Sequence, residues 1–516
     1  MYIPTQDDIN LMKQKSNKVF VDVQVLDMNF KTIGIVSGEI TDESSSIDVD
    51  SDIRKSISLG FVVKNNTLNI GADKKLWINR YIRVIYKKEK LLTGQYLEYD
   101  RGIYVLKDYS VKYSATEYSM SLECADLVCL YNGDIKGNLK GLQTKIYRDE
   151  LIDTDGEIPT VRKAMLKVMD LAGITKYNIG NMSKEFPYDL EFSSSQTLWD
   201  MIVEIRDLYP GWETFFDLDG TFVCQPIPTC ETDIVVLDSH FWEPLVIDES
   251  ISCDLFAVKN ATKVWGKCLE CDYYADSVTY SDGVYIANFS ALPIEDSGKM
   301  STSIKLAIDI PMVNADNPTV VIKNTVSGTT STIGTYNIVN DSEENIKANT
   351  LSANTTYVFR YRREKLFLMG QWQIVAVCYL VADEPSDTIK EEDIAREGTD
   401  RMIYTVNPDS PFCREYIGER MKVFSGGNCD NIYSEQLAFE RAEYENWQSA
   451  RTTYSLSLNT VYVPFLYGNE KIQYRLKSTN EVKEWIVKKI SGSWLSGTMS
   501  ITLAEFYPLY PFIVKS

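Results

Sequence analysis

Val19, Val21, Val23 and Val25 alternate with Phe20, Asp22 and Gln24. That period of two places successive side chains on opposite faces of a strand. Ile57, Leu59, Phe61 and Val63 repeat the pattern, and WINRYIRVIYKK (77–88) and GIYVLKDYSVKY (102–113) continue it. A turn at Ser114–Glu117 leads into Tyr118, Met120, Leu122 and Cys124 on one side. The pattern predicts a compact antiparallel β unit over about 17–145, within a domain spanning 1–148.

The period then changes. Val161, Ala164, Met165 and Val168 fall at helical spacing, with Gly173 as the stop. Leu198, Trp199, Ile202, Ile205 and Leu208 form a second helical stripe, preceded by Ser193-x-x-Gln196 as a capping box. A hairpin turning at Asp219-Gly220 follows. Residues 149–245 are read as a small α/β domain.

Strands resume at ISCDLFAVKNATKVWGK (251–267). Residues 286–381 are Asn/Ser/Thr-rich and β-patterned, and an acidic stretch, ADEPSDTIKEEDIAREGTD (382–400), follows them. This shift predicts an inserted β-sandwich-like domain with its acidic linker, 286–399, dividing a second β domain into 246–285 plus 400–516. Late in that domain Tyr433, Leu437, Arg441, Tyr444 and Trp447 recur at helical spacing, after which Tyr454, Leu456 and Leu458 alternate with Ser455, Ser457 and Asn459. The expectation is one helix packed across the sheet of the second β domain, with Glu435, Glu440, Glu443 and Glu445 exposed.

Residues 104–123 align without a gap to 485–504. Tyr104 meets Trp485, Val105 and Leu106 meet Ile486 and Val487, Lys107 meets Lys488, Ser110 meets Ser491 and Tyr113 meets Trp494. Past the turn, Ser119, Met120 and Leu122 meet Ser500, Ile501 and Leu503. Duplication predicts one β unit at each end of the chain. Two generic amphipathic hairpins with serine on the wet face would give a similar match, so both explanations stand at this point.

Composition narrows the chemistry. The 516 residues carry 53 Lys plus Arg against 73 Asp plus Glu, a formal charge of −20. That opposes a general nucleic-acid binder, which needs a basic face. No segment approaches the roughly 20 apolar residues of a membrane span, and the polar N-terminus lacks a signal-peptide core, so folding in a cytoplasm is expected. The 10 cysteines, several in strand-like runs (Cys124, Cys253, Cys378), are read as reduced. A single histidine, His240, rules out multi-histidine metal sites.

Four constellations are candidates for chemistry. Cys268 and Cys271 have metal-knuckle spacing, but no second CxxC pair or nearby histidine completes it, and coincidence in a strand is favoured. Asp153, Asp155 and Glu157 resemble part of a calcium loop without its closing glutamate, and are read as a polar turn. His240, beside Phe241 and Trp242, reads as a packed or hydrogen-bonded structural histidine. Tyr357, Phe359, Tyr361 and Trp372 are candidate carbohydrate-contact residues, although filling the core of a small β domain is the favoured reading. No catalytic, cofactor-binding or metal residue is assigned, and no cofactor is expected.

Two longer patterns carry a resemblance. They are SSIDVDSDIRKSISLGFVV…KLWINRYIRVIY…GIYVLKDYS…YSMSLECADL and NIYSEQLAFERAEYENWQSAR…IVKKISGSWLSGTMSITLAEFYPLYP. Together they resemble the baseplate hub, or tail-associated, proteins of tailed bacteriophages, related to the hub of type VI secretion spikes. The resemblance covers most of the chain except 286–381, where NTLSANTTYVFRYRREKLFLMGQWQIV resembles a fibre-type β module.

The resemblance implies a mainly β protein. Two tube-like antiparallel β-barrel domains would flank the α/β domain, with the β-sandwich-like insertion added. It implies a homotrimer with a pseudo-sixfold ring, adapting a sixfold tail tube to a threefold tip. The implied partners are the distal tail protein, the tape-measure protein, and tail tip or fibre proteins, with DNA passing through the channel without specific binding. The implied place is the virion tail tip or baseplate, assembled in the host bacterial cytoplasm, with contact to the host cell wall. Many relatives carry a C-terminal hydrolase or fibre extension; a chain ending at PLYPFIVKS is expected to leave such activity to another protein, and no enzyme activity is expected. The alternative is a cell-wall carbohydrate-binding adhesin of the tail tip, with the insertion as its binding module.

Overall fold

A computed structural model describes residues 3–505 except 15–17, 37–38, 63–69, 73, 92, 114–117, 140–142, 152–158, 187–188, 228–234, 296–297, 341–342, 384–399, 431 and 433. The expected turn at 114–117, the Asp153/Asp155/Glu157 segment and most of the acidic linker lie outside the described residues. The fold is mainly β. Two compact units are present: 1–257 with 452–516, and 258–451.

The first unit is organised by one 13-stranded sheet. Its N-terminal strands are β1 (Val19–Leu26), β2 (Thr32–Ile35), β3 (Glu39–Asp48), β4 (Lys55–Val62), β5 (Tyr81–Glu89), β6 (Tyr96–Tyr113) and β7 (Tyr118–Ala125). Its later strands are β8 (Val235–Leu237), β9 (Val246–Cys253), β10 (Tyr454–Val461), β11 (Lys471–Arg475), β12 (Val482–Ser493) and β13 (Thr498–Glu505). The alternating residues face inward as expected: Ile57, Leu59 and Phe61 of β4 are buried with Met120, Leu122 and Cys124 of β7. They share a single core with Trp485, Val487 and Ile490 of β12 and Ile501 and Leu503 of β13. The β units at the two ends of the chain are therefore joined.

Strand order repeats. The first set runs β3-β4-β7-β6-β5-β1 and the second β9-β10-β13-β12-β11-β8. Numbering the six strands of each set along the chain gives 2-3-6-5-4-1 both times. One difference lies at the end of the series, where β1 pairs antiparallel with β5 but β8 pairs parallel with β11.

The α/β part also belongs to the first unit. Helix Val161–Ala172 stops at Gly173, whose φ of 67° is the left-handed conformation glycine adopts without a Cβ penalty. Helix Leu198–Arg206 begins four residues later than the Ser193–Gln196 box requires. Thr197 is its cap and Asp200 completes the reciprocal box. Gln196 does reach back to the Ser193 N–H, at 2.7 Å, but that bond closes a turn at the end of strand Leu190–Ser193. The Asp219-Gly220 hairpin joins Trp212–Phe216 to Phe222–Pro226 as expected.

The second unit contains an eight-stranded assembly over 273–371 and a four-stranded sheet. The four strands, Ala261–Cys268, Gln373–Val381, Asp400–Val406 and Met421–Phe424, carry helix Glu435–Ser449. The second unit runs from 258 to 451, wider than the 286–399 expected for the insertion. The helix lies on the four-stranded sheet and not on the sheet of the second β set. Ala438 and Ala442 close against Val264, Ile374, Ala376 and Cys378. Small residues set this contact, which is why a reading by large apolar positions misplaced the buried face. The four glutamates are correspondingly not an exposed row: Glu445 is buried and paired with Arg441 at 2.9 Å, and Glu435, Glu440 and Glu443 are half-buried.

Candidate functional site: the seam between two strand sets

The two strand sets meet where β3 pairs antiparallel with β12. Ser45 faces Gly492, Ser46 faces Ser491, Ile47 faces Ile490, and Asp48 faces Lys489. The Val49 N–H extends the ladder to the Lys488 carbonyl at 3.1 Å, and Lys489 pairs with Asp48 at 2.7 Å. Glycine is required at 492, because a Cβ there would lie 2.5 Å from the Thr498 carbonyl oxygen.

Behind the ladder lies a buried polar cluster. Trp494 stacks on Tyr86 at 5.4 Å and meets Tyr462 edge-on at 5.6 Å. Its backbone N–H donates to the Glu43 carboxylate at 2.7 Å, which also accepts from the Tyr86 hydroxyl. Ser45 and Tyr462 share a hydroxyl bond of 2.8 Å. Arg101 donates to the Pro464 carbonyl and lies over the rings of Tyr86 and Tyr467. Burial pushes the Glu43 carboxyl up from its usual range, opposed by the Tyr86 and Trp494 donors and by Arg101. Breaking one member would leave its partner buried and unpaired, so the cluster specifies one register of β3 on β12.

Local irregularities repeat along with the strand order. A bulge at Lys107 in the β6–β7 ladder recurs at Lys488 in the β12–β13 ladder. A bulge at Thr41 between β3 and β4 recurs at Ile247 between β9 and β10. Asp42-Glu-Ser-Ser-Ser-Ile-Asp48 and Asp248-Glu-Ser-Ile-Ser-Cys-Asp254 are identical at five of seven positions. Glu43 accepts from Tyr86 and Glu249 from Tyr474. Asp48 accepts from the Asp50 N–H and Asp254 from the Phe256 N–H, each closing the same turn after its strand. This heptad was the signal the sequence reading missed.

The gapless alignment is correct on the first arm, where the bulges coincide, and is displaced by two residues on the second. Asp108 pairs with Glu123, whereas Lys489 pairs with Thr502, so Met120 corresponds to Met499 and Ser121 to Ser500. A two-residue slip keeps every side chain on its own face, so the hydrophobic pattern could not reveal it.

Comparison with known proteins gives the following. Residues 409–510 match the family described as a domain of unknown function (DUF5048). No curated protein matches. Among solved structures, the chain is similar to the tail protein from Neisseria meningitidis MC58, at 9% identity and TM-score 0.43, covering 95% of this chain and 96% of that one. It is similar to the prophage MuSo2 43 kDa tail protein from Shewanella oneidensis, at 10% identity and TM-score 0.44, covering 96% and 99%. It is also similar to prophage tail protein gp18 from Listeria monocytogenes EGD-e, at 10% identity and TM-score 0.42, covering 94% of each chain.

The residues singled out from sequence do not converge. Tyr357, Phe359 and Tyr361 are buried in the core of the eight-stranded assembly with Ile308, Ile322 and Leu366. Their inward alternation removes them as a sugar-stacking surface; Trp372 alone is half-exposed, edge-on to Tyr274. His240 is not packed. Its side chain is 76% exposed beside Glu243, while its neighbours Phe241 and Trp242 turn inward from the short helix Ser239–Trp242. Cys268 is exposed and Cys271 half-buried, and burial raises both thiols above their usual range. Among the described residues, no three His, Cys, Asp or Glu side chains are grouped to hold a metal ion, and no helix is long and apolar enough to cross a membrane.

Proposed function

We propose that the chain is a structural protein of a phage tail, the trimeric hub that closes the tail's distal end. The repeated strand set, joined through one continuous sheet, is the observation that carries this reading. Two like sets per chain let three chains present six similar walls around one axis, which fits a sixfold tube on one side and a threefold tip on the other. Closed rings also remove the exposed strand edges that otherwise invite aggregation.

In this reading the distal tail protein sits above the ring, the tape-measure protein occupies its lumen, and tip or fibre proteins attach below. The protein is a component of the virion, assembled in the host cytoplasm, with a scaffolding and not a catalytic role. DNA carries about one charge per 1.7 Å of its axis, so a basic lumen would retain it by counterion release. An acidic chain of net charge −20 suits passage without retention. The test is a density map of the purified protein. The expected result is a C3 particle with pseudo-sixfold walls and few Lys or Arg side chains facing the channel. A monomer, a true hexamer or a pore lined with basic residues would overturn it.

A further inference from the structure

The seam inside the chain has an unused counterpart. In β12, residues Lys489–Gly492 pair outward with Ser45–Asp48 of β3. The shared bulge places Asp108–Val111 of β6 where Lys489–Gly492 stand in β12. The shared heptad places Ile251–Asp254 where Ser45–Asp48 stand at the end of β3. Yet β5 pairs with β6 only as far as Val105, and β9 ends the sheet, so both outer edges lack a strand among the described residues.

The same two edges expose apolar side chains. Tyr109, Val111 and Tyr113 are 48, 49 and 82% exposed, whereas Ile490 and Trp494, which hold the places of Tyr109 and Tyr113 along the arm, are buried. On the other edge Ile251, Leu255 and Phe256 are 38, 63 and 83% exposed, whereas Val49, in the place of Leu255, is buried. Unpaired edges with an apolar row are templates for a strand from another chain. A strand and its complement at opposite ends of one sheet give a head-to-tail contact, which closes into a ring or runs on as a filament.

We infer that Asp108–Val111 of one chain pairs antiparallel with Ile251–Asp254 of a second copy, repeating the β12–β3 seam between chains. The register sets Val111 opposite Ile251, Ser110 opposite Ser252, Tyr109 opposite Cys253 and Asp108 opposite Asp254. The Leu255 N–H then meets the Lys107 carbonyl as Val49 meets Lys488 within the chain. The two opposed carboxylates are each turned onto their own backbone, Asp108 to the Tyr109 N–H at 2.7 Å and Asp254 to the Phe256 N–H at 2.9 Å. This inference deepens the ring reading above by naming the surfaces that close it.

The test uses full-length protein in a Cys253→Ser background. Chains carrying Ser110→Cys and chains carrying Ser252→Cys are co-expressed, purified and mildly oxidised, with Ser46→Cys/Ser491→Cys as the intrachain control at the equivalent positions. A covalent dimer is expected in the mixture and in neither variant alone, and a chain carrying both substitutions should give a ladder ending at three. Closure of the intrachain control without any interchain dimer would overturn the inference. A trimer by light scattering without that dimer would sink the edge pairing and leave the hub reading standing. A ladder running past three would keep the edge pairing and sink the trimer.

Discussion

Glu470→Gln should flatten the pH dependence of stability. Glu470 precedes β11, is 4% exposed, and accepts the Tyr467 N–H at 2.9 Å through one carboxylate oxygen. The other oxygen is buried without a partner. Burial is the main cause that pushes this carboxyl from its usual 4.5 up to about 8, with the Tyr467 N–H and Arg101 opposing it. Below about pH 4.5 the group is protonated in both states. Between about pH 4.5 and pH 8 the unfolded chain ionises while the folded chain does not, so folding weakens as pH rises. Above about pH 8 the full cost is present, about 4–5 kcal/mol at 1.36 kcal/mol per tenfold change in proton affinity. Between pH 5 and pH 7 the loss is about 2–3 kcal/mol. Glutamine keeps the acceptor and cannot ionise, so the variant should equal the native protein near pH 5 and exceed it by about that amount at pH 7. Urea unfolding followed by tryptophan fluorescence at pH 5, 7 and 9, at one protein concentration, reads the difference. Parallel pH profiles for the two proteins would show that Glu470 is not held neutral and refute the reasoning.

Trp494→Ala removes a buried ring from Tyr86 and Tyr462 and should cost about 3–5 kcal/mol in the same unfolding assay; a loss under about 1 kcal/mol would mean the seam cluster is not an energetic anchor. Cys253 and Tyr454 face each other in the β9–β10 ladder, so replacing Asp254–Thr453 by Asn-Gly should close a two-residue hairpin and leave a soluble protein that melts cooperatively. Aggregation of that protein would count against 258–451 being an insertion.

The strands were legible because each buries one face, and alternation in β4, β7, β10 and β13 needs no tertiary knowledge to see. The first arm of the repeat was legible for the same reason. What stayed hidden was long-range. The pairing of β3 with β12 joins residues more than four hundred positions apart, and no local pattern encodes it. The heptad Asp42–Asp48 was in plain view, but serine-rich strands lack the hydrophobic contrast that draws attention. The candidate rings Tyr357, Phe359 and Tyr361 alternate with Thr356, Val358 and Arg360, which fits a buried row as well as an exposed one; only the opposing sheet decides. His240 misled in the other direction, since apolar neighbours in sequence turned inward and left it in solvent.

The helix Glu435–Ser449 interrupts a run of strands because it belongs to a different unit from the strand that follows it. In the first strand set β3 reaches β4 through residues 49–54, with the Asp48 N–H closing on the Arg54 carbonyl at 2.9 Å. In the second set the equivalent strands, β9 and β10, are separated by the whole of 258–451. Their ladder nevertheless runs to Cys253 and Tyr454, so the chain re-enters beside the point where it left. Closing a longer loop costs only about 0.6 kcal/mol per doubling of length, and a segment that folds on itself costs less still. A hairpin turn with adjacent ends therefore accepts a domain without disturbing the sheet that holds it. The tip of β12 and its turn are committed to β3 and Glu43, whereas the turn after β9 meets no strand of its own unit among the described residues, which leaves it open to carry the insertion.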